Sequence, residues 1–164
     1  MARHQLILCV GGNLGNKAQI FSETSDLIEN QIGHVMKASP VYETPPWGFE
    51  TKNRFWNQVL VVETNLEPME VLQKIRAFEK HFGRKRKDGT YLSRKMDIDI
   101  LFYDNEVIQT EELTIPHPLM ELRRFVMAPL VDILPDLTHP VTGKPMAEML
   151  SGCQDNSEVK RLDQ

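Results

Sequence analysis

Apolar positions along the chain fall into two periods, and their alternation predicts the elements. Residues 5–10, QLILCV, form a continuous β-prone run that meets Gly11-Gly12-Asn13, which predicts a strand followed by a turn. Over 17–31, Ile20, Phe21, Leu27 and Ile28 recur at helical spacing, with Gly33 just past the end. HVMKASPVYET (34–44) reads as extended and interrupted by Pro40, and TPPWGFETKN (44–53) as a proline-rich loop. RFWNQVLVVET (54–64) is a further extended run. Pro68 opens a second helix carrying Met69, Leu72, Ile75, Phe78, Glu79 and Phe82, with Gly83 as its stop. DIDILFYDNEVI (97–108) is a strand entering an Asp104-Asn105 turn, and ELRRFVMAPLVDILP (121–135) a last helix ended by Pro135. Beyond Thr142 a short helix and a frayed end are expected. The order predicts an α+β fold, a ferredoxin-like βαββαβ sandwich with a C-terminal helical addition. No repeat, linker or low-complexity stretch divides residues 1–164, so a single domain is expected.

Composition narrows the class. A chain of 164 residues with 41% hydrophobic and 26% charged positions has the balance of a soluble globular protein. No segment approaches the ~18 apolar residues of a membrane helix, and the start lacks the pattern of a signal peptide. Cys9 and Cys153 have no metal-ligand spacing, so two reduced thiols and a cytoplasmic location are expected. The net charge of −4 speaks against nucleic-acid and membrane-surface binding. That charge is uneven: RKRKDGTYLSRK (84–95) holds six Lys/Arg against one Asp, a local +5 that leaves −9 elsewhere.

The basic block stands directly before Asp97-Ile98-Asp99. On a strand, both carboxylates point to one face, and Met96, Ile98, Ile100 and Phe102 to the other. By itself such a pair reads as a solvent-facing polar edge. With anion donors beside it, it suits a pair of Mg²⁺ ions holding a polyphosphate. Gly11, Gly15 and Lys17 do not fit a P-loop, and the protein-kinase motifs are missing, so phosphates here must be held by loop side chains.

Six stretches in order and register, GGNLG (11–15), YETPPWG (42–48), FWNQV (55–59), FGRKR (82–86), RKMDIDI (94–100) and IPHPLMELRRF (115–125), resemble the hydroxymethyldihydropterin pyrophosphokinase family over about residues 5 to 150. The resemblance implies transfer of pyrophosphate from ATP to 6-hydroxymethyl-7,8-dihydropterin, by attack on the β-phosphorus with AMP leaving, in folate synthesis. It implies Asp97 and Asp99 as ligands of two Mg²⁺ ions, and Arg84 and Arg94 as stabilisers of charge on the transferring group. Glu79, Arg86, Tyr91, Ile100, Thr114, His117 and Arg123, with Arg94, would hold ATP. Phe55 and Phe125 would sandwich the pterin, with Thr44, Pro45, Pro46, Trp47 and Asn57 completing its pocket. ATP and the pterin are the expected partners of a monomer.

Taken singly, these residues have plainer readings. Phe55 or Phe125 reads as core, and Trp56 does so because it alternates away from Phe55. His117 reads as a loop histidine with one structural hydrogen bond, Glu79 as a solvated helix charge, and Thr44-Pro45-Pro46 as a stiff connector. Two stretches depart from the family pattern: Gly12 stands where a Ser is usual, and Thr90-Tyr91-Leu92-Ser93 replaces an Arg, an aromatic and Gly-Pro. The alternatives are an RNA-recognition module, which the negative charge and paired aspartates disfavour, and a non-catalytic pterin- or nucleotide-binding homologue. Against the latter, the metal positions Asp97 and Asp99 and the arginine positions Arg84, Arg86, Arg94 and Arg123 are filled. A non-hydrolysable ATP analogue with Mg²⁺ is expected to protect 84–95 from proteolysis, because triphosphate supplies the missing counter-charge. Equal cleavage with and without it would remove this segment from the nucleotide site.

Overall fold

A computed structural model describes residues 3–44, 54–83 and 95–162. Strands β1 (His4–Gly12), β2 (Gly33–Ala38), β3 (Tyr42–Thr44), β4 (Phe55–Thr64) and β5 (Asp97–Tyr103) build the sheet, with helix α1 (Lys17–Gln31) after β1 and α2 (Pro68–His81) after β4. A small hairpin, β6 (Ile108–Gln109) and β7 (Thr114–Ile115), leads through a 3₁₀ turn at Met120–Leu122 to α3 (Arg124–Ile133) and α4 (Met146–Ser151). The chain then reaches β8 (Lys160–Arg161). The sheet order is β5-β1-β4-β3-β8, with β2 also on β4, and every pair is antiparallel. Mixed helix and antiparallel sheet make the fold α+β.

The helices begin where local chemistry provides a start. Asn16 caps α1 by accepting from the Gln19 amide at 3.2 Å. In α2, Pro68 takes the first turn, Glu67 and Glu70 form a capping box, and Lys80 and His81 complement the dipole at the far end. The run 34–44 does break at Pro40, and both halves lie along β4: Ala38 opposite Leu60, Tyr42 opposite Asn57. At the break Ser39 bridges the gap, its amide donating to the Val59 carbonyl and its hydroxyl accepting the Val59 amide, both at 2.9 Å.

Two cores sandwich the sheet. Leu6, Leu8 and Val10 pack with Ile20, Phe21 and Ile28 of α1 and Val71, Ile75 and Phe78 of α2. Ile7, Cys9 and Val59 pack on the opposite face with Val126, Met127 and Leu130 of α3 and Met146 and Met149 of α4. Trp56 joins the α1 side, its ring edge-on to Phe21 at 5.8 Å.

Four expectations need correction. Strand β1 continues through Gly11 and Gly12 where a turn was expected, because both pair with β4. Phe102 does not share a face with Ile98 and Ile100. The register with β1 slips between Ile7 and Leu8, leaving Leu101 as an extra residue, so Leu101 and Phe102 both enter the α3 core. The expected helix 121–135 is a 3₁₀ turn, an extended Arg123, and then α3; Pro129 lies inside α3 and gives up one backbone bond. The end of the chain is not frayed through Leu162. It adds β8 to the edge of β3, an opportunity created by tertiary placement.

At Gly33 the backbones of β2 and β4 come close together. A Cβ there would lie 2.1 Å from the Glu63 carbonyl oxygen. Gly33→Ala must therefore part β2 from β4, and about 1–3 kcal/mol of stability should be lost, as for other overpacked sites. Urea unfolding at equilibrium measures this, and an unchanged midpoint would refute the close approach.

Candidate functional site

Strand β5 is the sheet's edge, and its pleat separates structure from chemistry. Ile98 and Ile100 are buried beneath α1 and α2, while Asp97 and Asp99 point to the other side and stay partly exposed. Glu79 pins this edge. It is 6% exposed, and its Oε2 accepts the Ile98 amide at 3.0 Å; among the described residues β5 has β1 as its strand neighbour and no other. It is not the solvated charge that its helical position alone suggested. A hydrogen bond of this type contributes roughly 0.5–1.5 kcal/mol.

The register then carries the carboxylate face across the sheet. Asp97 lies opposite Gly11, Gly11 opposite Asn57, and Asn57 opposite Tyr42. In the next row Asp99 lies opposite Cys9, and Cys9 opposite Val59. Asp97 and Asn57 are thus separated by one strand, about 9.5 Å between backbones, and the intervening residue has no side chain. A Cβ at Gly11 would come within 2.5 Å of Asn57 Oδ1, so any larger residue would have to displace the Asn57 side chain. Beneath the aspartates the Cys9 thiol is pushed well up by burial, then by Asp99 and Asp97, with Arg123 opposing.

A cleft of about 420 Å³ opens beside β5, within the size range of small-ligand sites. Glu79, Asp97, Asp99, Ile100, Thr114, His117 and Arg123 all line it, so every described member of the expected nucleotide set meets in one place. Sequence reasoning missed Arg76, which also lines the cleft and pairs with Glu112 across its rim at 3.2 Å. Its position three residues before Glu79 on one helix was the available signal.

His117 is neutral here, with a defined tautomer. Its Nδ1 accepts the Leu119 amide at 3.2 Å, which leaves the proton on Nε2, 3.9 Å from Asp99 Oδ1. Burial first, then Arg123, lowers its pKa from 6.5 to about 4, against the pull of Asp97. An imidazole so placed turns its Nε2–H to the side of Asp99, beyond hydrogen-bond distance, and offers no lone pair at Nε2 to a metal. The remaining donors, two carboxylates on the open wall of a cleft, fit Mg²⁺, which takes one or two carboxylates and fills its other positions with water and phosphate oxygens. Among the described residues no group of three or more His, Cys, Asp or Glu gathers as a metal cluster.

At the same end of the sheet lie the residues expected to hold the pterin. Thr44 is opposite Phe55, and both are buried, as is Asn57. Phe125, in the first turn of α3, packs partly buried on the α3 core, with the Arg123 guanidinium 5.8 Å from its ring centre. Pro45, Pro46, Trp47, Arg84, Arg86, Tyr91 and Arg94 lie outside the described residues, as does most of the basic block; the segments bearing them join the described chain at Thr44, Gly83 and Lys95.

Residues 7–135 match the model of the family described as 7,8-dihydro-6-hydroxymethylpterin-pyrophosphokinase (HPPK). A 2-amino-4-hydroxy-6-hydroxymethyldihydropteridine pyrophosphokinase of Aquifex aeolicus is 40% identical over 141 residues, covering 86% of this chain and 87% of the relative. One from Porphyromonas gingivalis is 38% identical, covering 84% and 95%. The crystal structure of Plasmodium falciparum HPPK-DHPS wild type with pteroate shares the fold, with a TM-score of 0.76 over 92% of this chain at 16% identity; the chain spans 44% of that longer polypeptide. This chain belongs to the 7,8-dihydro-6-hydroxymethylpterin-pyrophosphokinase family.

The His117 geometry sets a pH dependence. Its folded pKa of about 4 lies below the ordinary 6.5, so between those values the unfolded chain takes up a proton that the native chain refuses. Stability therefore falls as pH falls through that window. Urea midpoints of metal-free protein from pH 7 to pH 4 should decline more steeply for the parent than for His117→Asn. Parallel declines would contradict the assignment.

Proposed function

We propose that this protein transfers the pyrophosphoryl group of ATP to the hydroxymethyl oxygen of 6-hydroxymethyl-7,8-dihydropterin, giving the pterin diphosphate and AMP in folate synthesis. The observation that carries this reading is the continuous sheet face on which Asp97 lies across Gly11 from Asn57, with Asp99 in the next row opposite Cys9. A phosphate site and a flat-ring site then share one floor, at a separation suited to a substrate reaching between them. The layout also supports a ferredoxin-like sandwich: β5-β1-β4-β2 is fully antiparallel, with α1 and α2 on one face.

In this scheme the pterin oxygen forms a bond to the β-phosphorus as the bridging oxygen departs with AMP. Asp97 and Asp99 would hold two Mg²⁺ ions, which when bound neutralise phosphate charge and orient the triphosphate. Arg123, from the cleft wall, and Arg84, Arg86 and Arg94, from the basic segment, would donate to phosphate oxygens, Arg84 and Arg94 acting on the transferring group. Tyr91 would supply an aromatic contact to ATP. Glu79 keeps β5 at the depth where both carboxylates face the cleft, and His117 places a polarised Nε2–H 3.9 Å from Asp99 Oδ1. Thr114 and Ile100 complete the nucleotide wall. Phe55 and Phe125 would sandwich the pterin, with Asn57, Thr44, Pro45, Pro46 and Trp47 around its edge. No described side chain is assigned as general base. We take the working form to be a cytoplasmic monomer, in keeping with its free cysteines, Cys9 and Cys153.

Product analysis decides between turnover and a module that only binds. Incubation of the hydroxymethyl pterin with ATP and Mg²⁺ should yield AMP and the pterin diphosphate in equal amounts, with no turnover in excess chelator. ADP as the stoichiometric product, or binding of both substrates without conversion, would overturn the assignment.

Asp97→Asn and Asp99→Asn should each lower metal-dependent turnover by at least about a hundredfold, in the range lost with other electrostatic catalytic groups. Their melting temperatures should stay near that of the parent, because both side chains face the cleft. Near-normal rates in either variant would exclude that aspartate as a metal ligand.

A further inference from the structure

Helix α3 starts against its own local chemistry. Its N-cap is Arg123, which makes no side-chain capping bond, its first residue is Arg124, and its first turn has no acidic residue. Two guanidinium groups at the positive end of a helix dipole oppose helix formation. Yet this is the turn that carries Arg123 into the cleft and Phe125 to the pterin wall.

The missing cap comes from 31 residues further on. Asp155 Oδ2 accepts the Arg124 amide at 3.0 Å. Its other oxygen, Oδ1, accepts the Ser157 amide at 2.9 Å and also the Ser157 hydroxyl. Burial pushes the Asp155 carboxyl up, but these hydrogen bonds outweigh it and hold the group below its ordinary 3.8. The carboxylate is therefore ionised near neutral pH and offsets the arginine charge.

From Ser157 the chain continues to the opposite wall. In β8, Lys160 pairs with Glu43 and Arg161 with Tyr42, and the Leu162 amide donates to the Val41 carbonyl at 2.8 Å. Arg161 also lies 3.5 Å from Asp132 of α3, whose carboxylate accepts the Tyr42 hydroxyl at 2.8 Å. Strand β3 ends at Thr44, opposite Phe55. The tail is thus bonded to the helix turn that bears Phe125 and to the strand that ends in Thr44. It lies beyond residue 135, where the family match stops.

We propose that residues 153–162 act as a strap that sets the spacing of the two pterin walls, with Asp155 as its positioning residue through the Arg124 amide. The proposal rests on the pterin-site reading above. Asp155 touches no substrate; it acts through the first turn of α3.

The test is equilibrium binding of 6-hydroxymethylpterin to the full chain, followed by fluorescence, beside steady-state kinetics and thermal melting. Asp155→Ala should weaken pterin binding roughly two- to fivefold, up to the usual effect of a lost helix cap. Pterin KM should rise by a similar factor while saturated kcat moves less. Asp155→Asn keeps an acceptor oxygen and should recover most of the affinity. Ser157→Ala, which only loosens the clamp on Oδ1, should fall between them, and it carries the test if Asp155→Ala does not fold. A lowered melting temperature with unchanged pterin affinity in these variants would overturn the strap, as would Asp155→Asn binding no better than Asp155→Ala. A parent that fails to bind the pterin would instead overturn the functional reading.

Discussion

The pairing of β5 with β1 governs the site, because among the described residues β5 is an edge strand with one neighbour and two different faces to serve. Its inward residues, Ile98 and Ile100, are anchored by the α1–α2 core. Its outer edge is closed by the Glu79 carboxylate on the Ile98 amide. A shift of one residue would bury both aspartates and expose both isoleucines. Burying two unpaired carboxylates would cost several kcal/mol each, far more than the edge bonds could supply, so the register is strongly determined. The slip at Leu101 is tolerated because it falls beyond the aspartates and turns Leu101 and Phe102 together into the second core.

The same sheet face also sets the spacing between substrates. Gly11 lies between Asp97 and Asn57, and the absence of a Cβ lets the Asn57 amide occupy space that any other residue would take. Cys9, in the row of Asp99, contributes a small buried side chain beside that carboxylate and remains a thiol. His117 reaches the face from the segment after β7 and stays neutral, so its ring adds an N–H but no formal charge beside Asp99, while Arg123 and Arg76 bring positive charge to the cleft.

Parts of this arrangement were legible in the sequence for definite reasons. Strong periodicity marked α1 and α2, and their bounds follow Gly33, Pro68 and Gly83 closely. The D-x-D spacing alone implied a shared face for Asp97 and Asp99. Pro40 announced the break between β2 and β3. Other features had no local signal. Glu79 reads as an ordinary exposed helix charge until the edge of β5 arrives beside it, and Arg76 joins the cleft only through that same packing. Phe102 follows the alternation rule until a bulge, written nowhere in the strand's own pattern, reverses it. Asp155 looks like a tail residue until it is seen to cap a helix that begins with two arginines.

The chain by itself determined the periods of its elements, the places where proline, glycine and caps interrupt them, the paired carboxylates, and the family its six ordered stretches belong to. These are properties of neighbours in sequence, where a side chain's geometry acts within a turn or a pleat. Only the tertiary structure decided which strand lies beside β5, that Gly11 separates the aspartates from Asn57, that Glu79 closes an edge, and that β8 returns to β3. Each of these joins groups many residues apart. Local propensity cannot encode such a meeting, because it depends on two cores packing on opposite faces of one sheet.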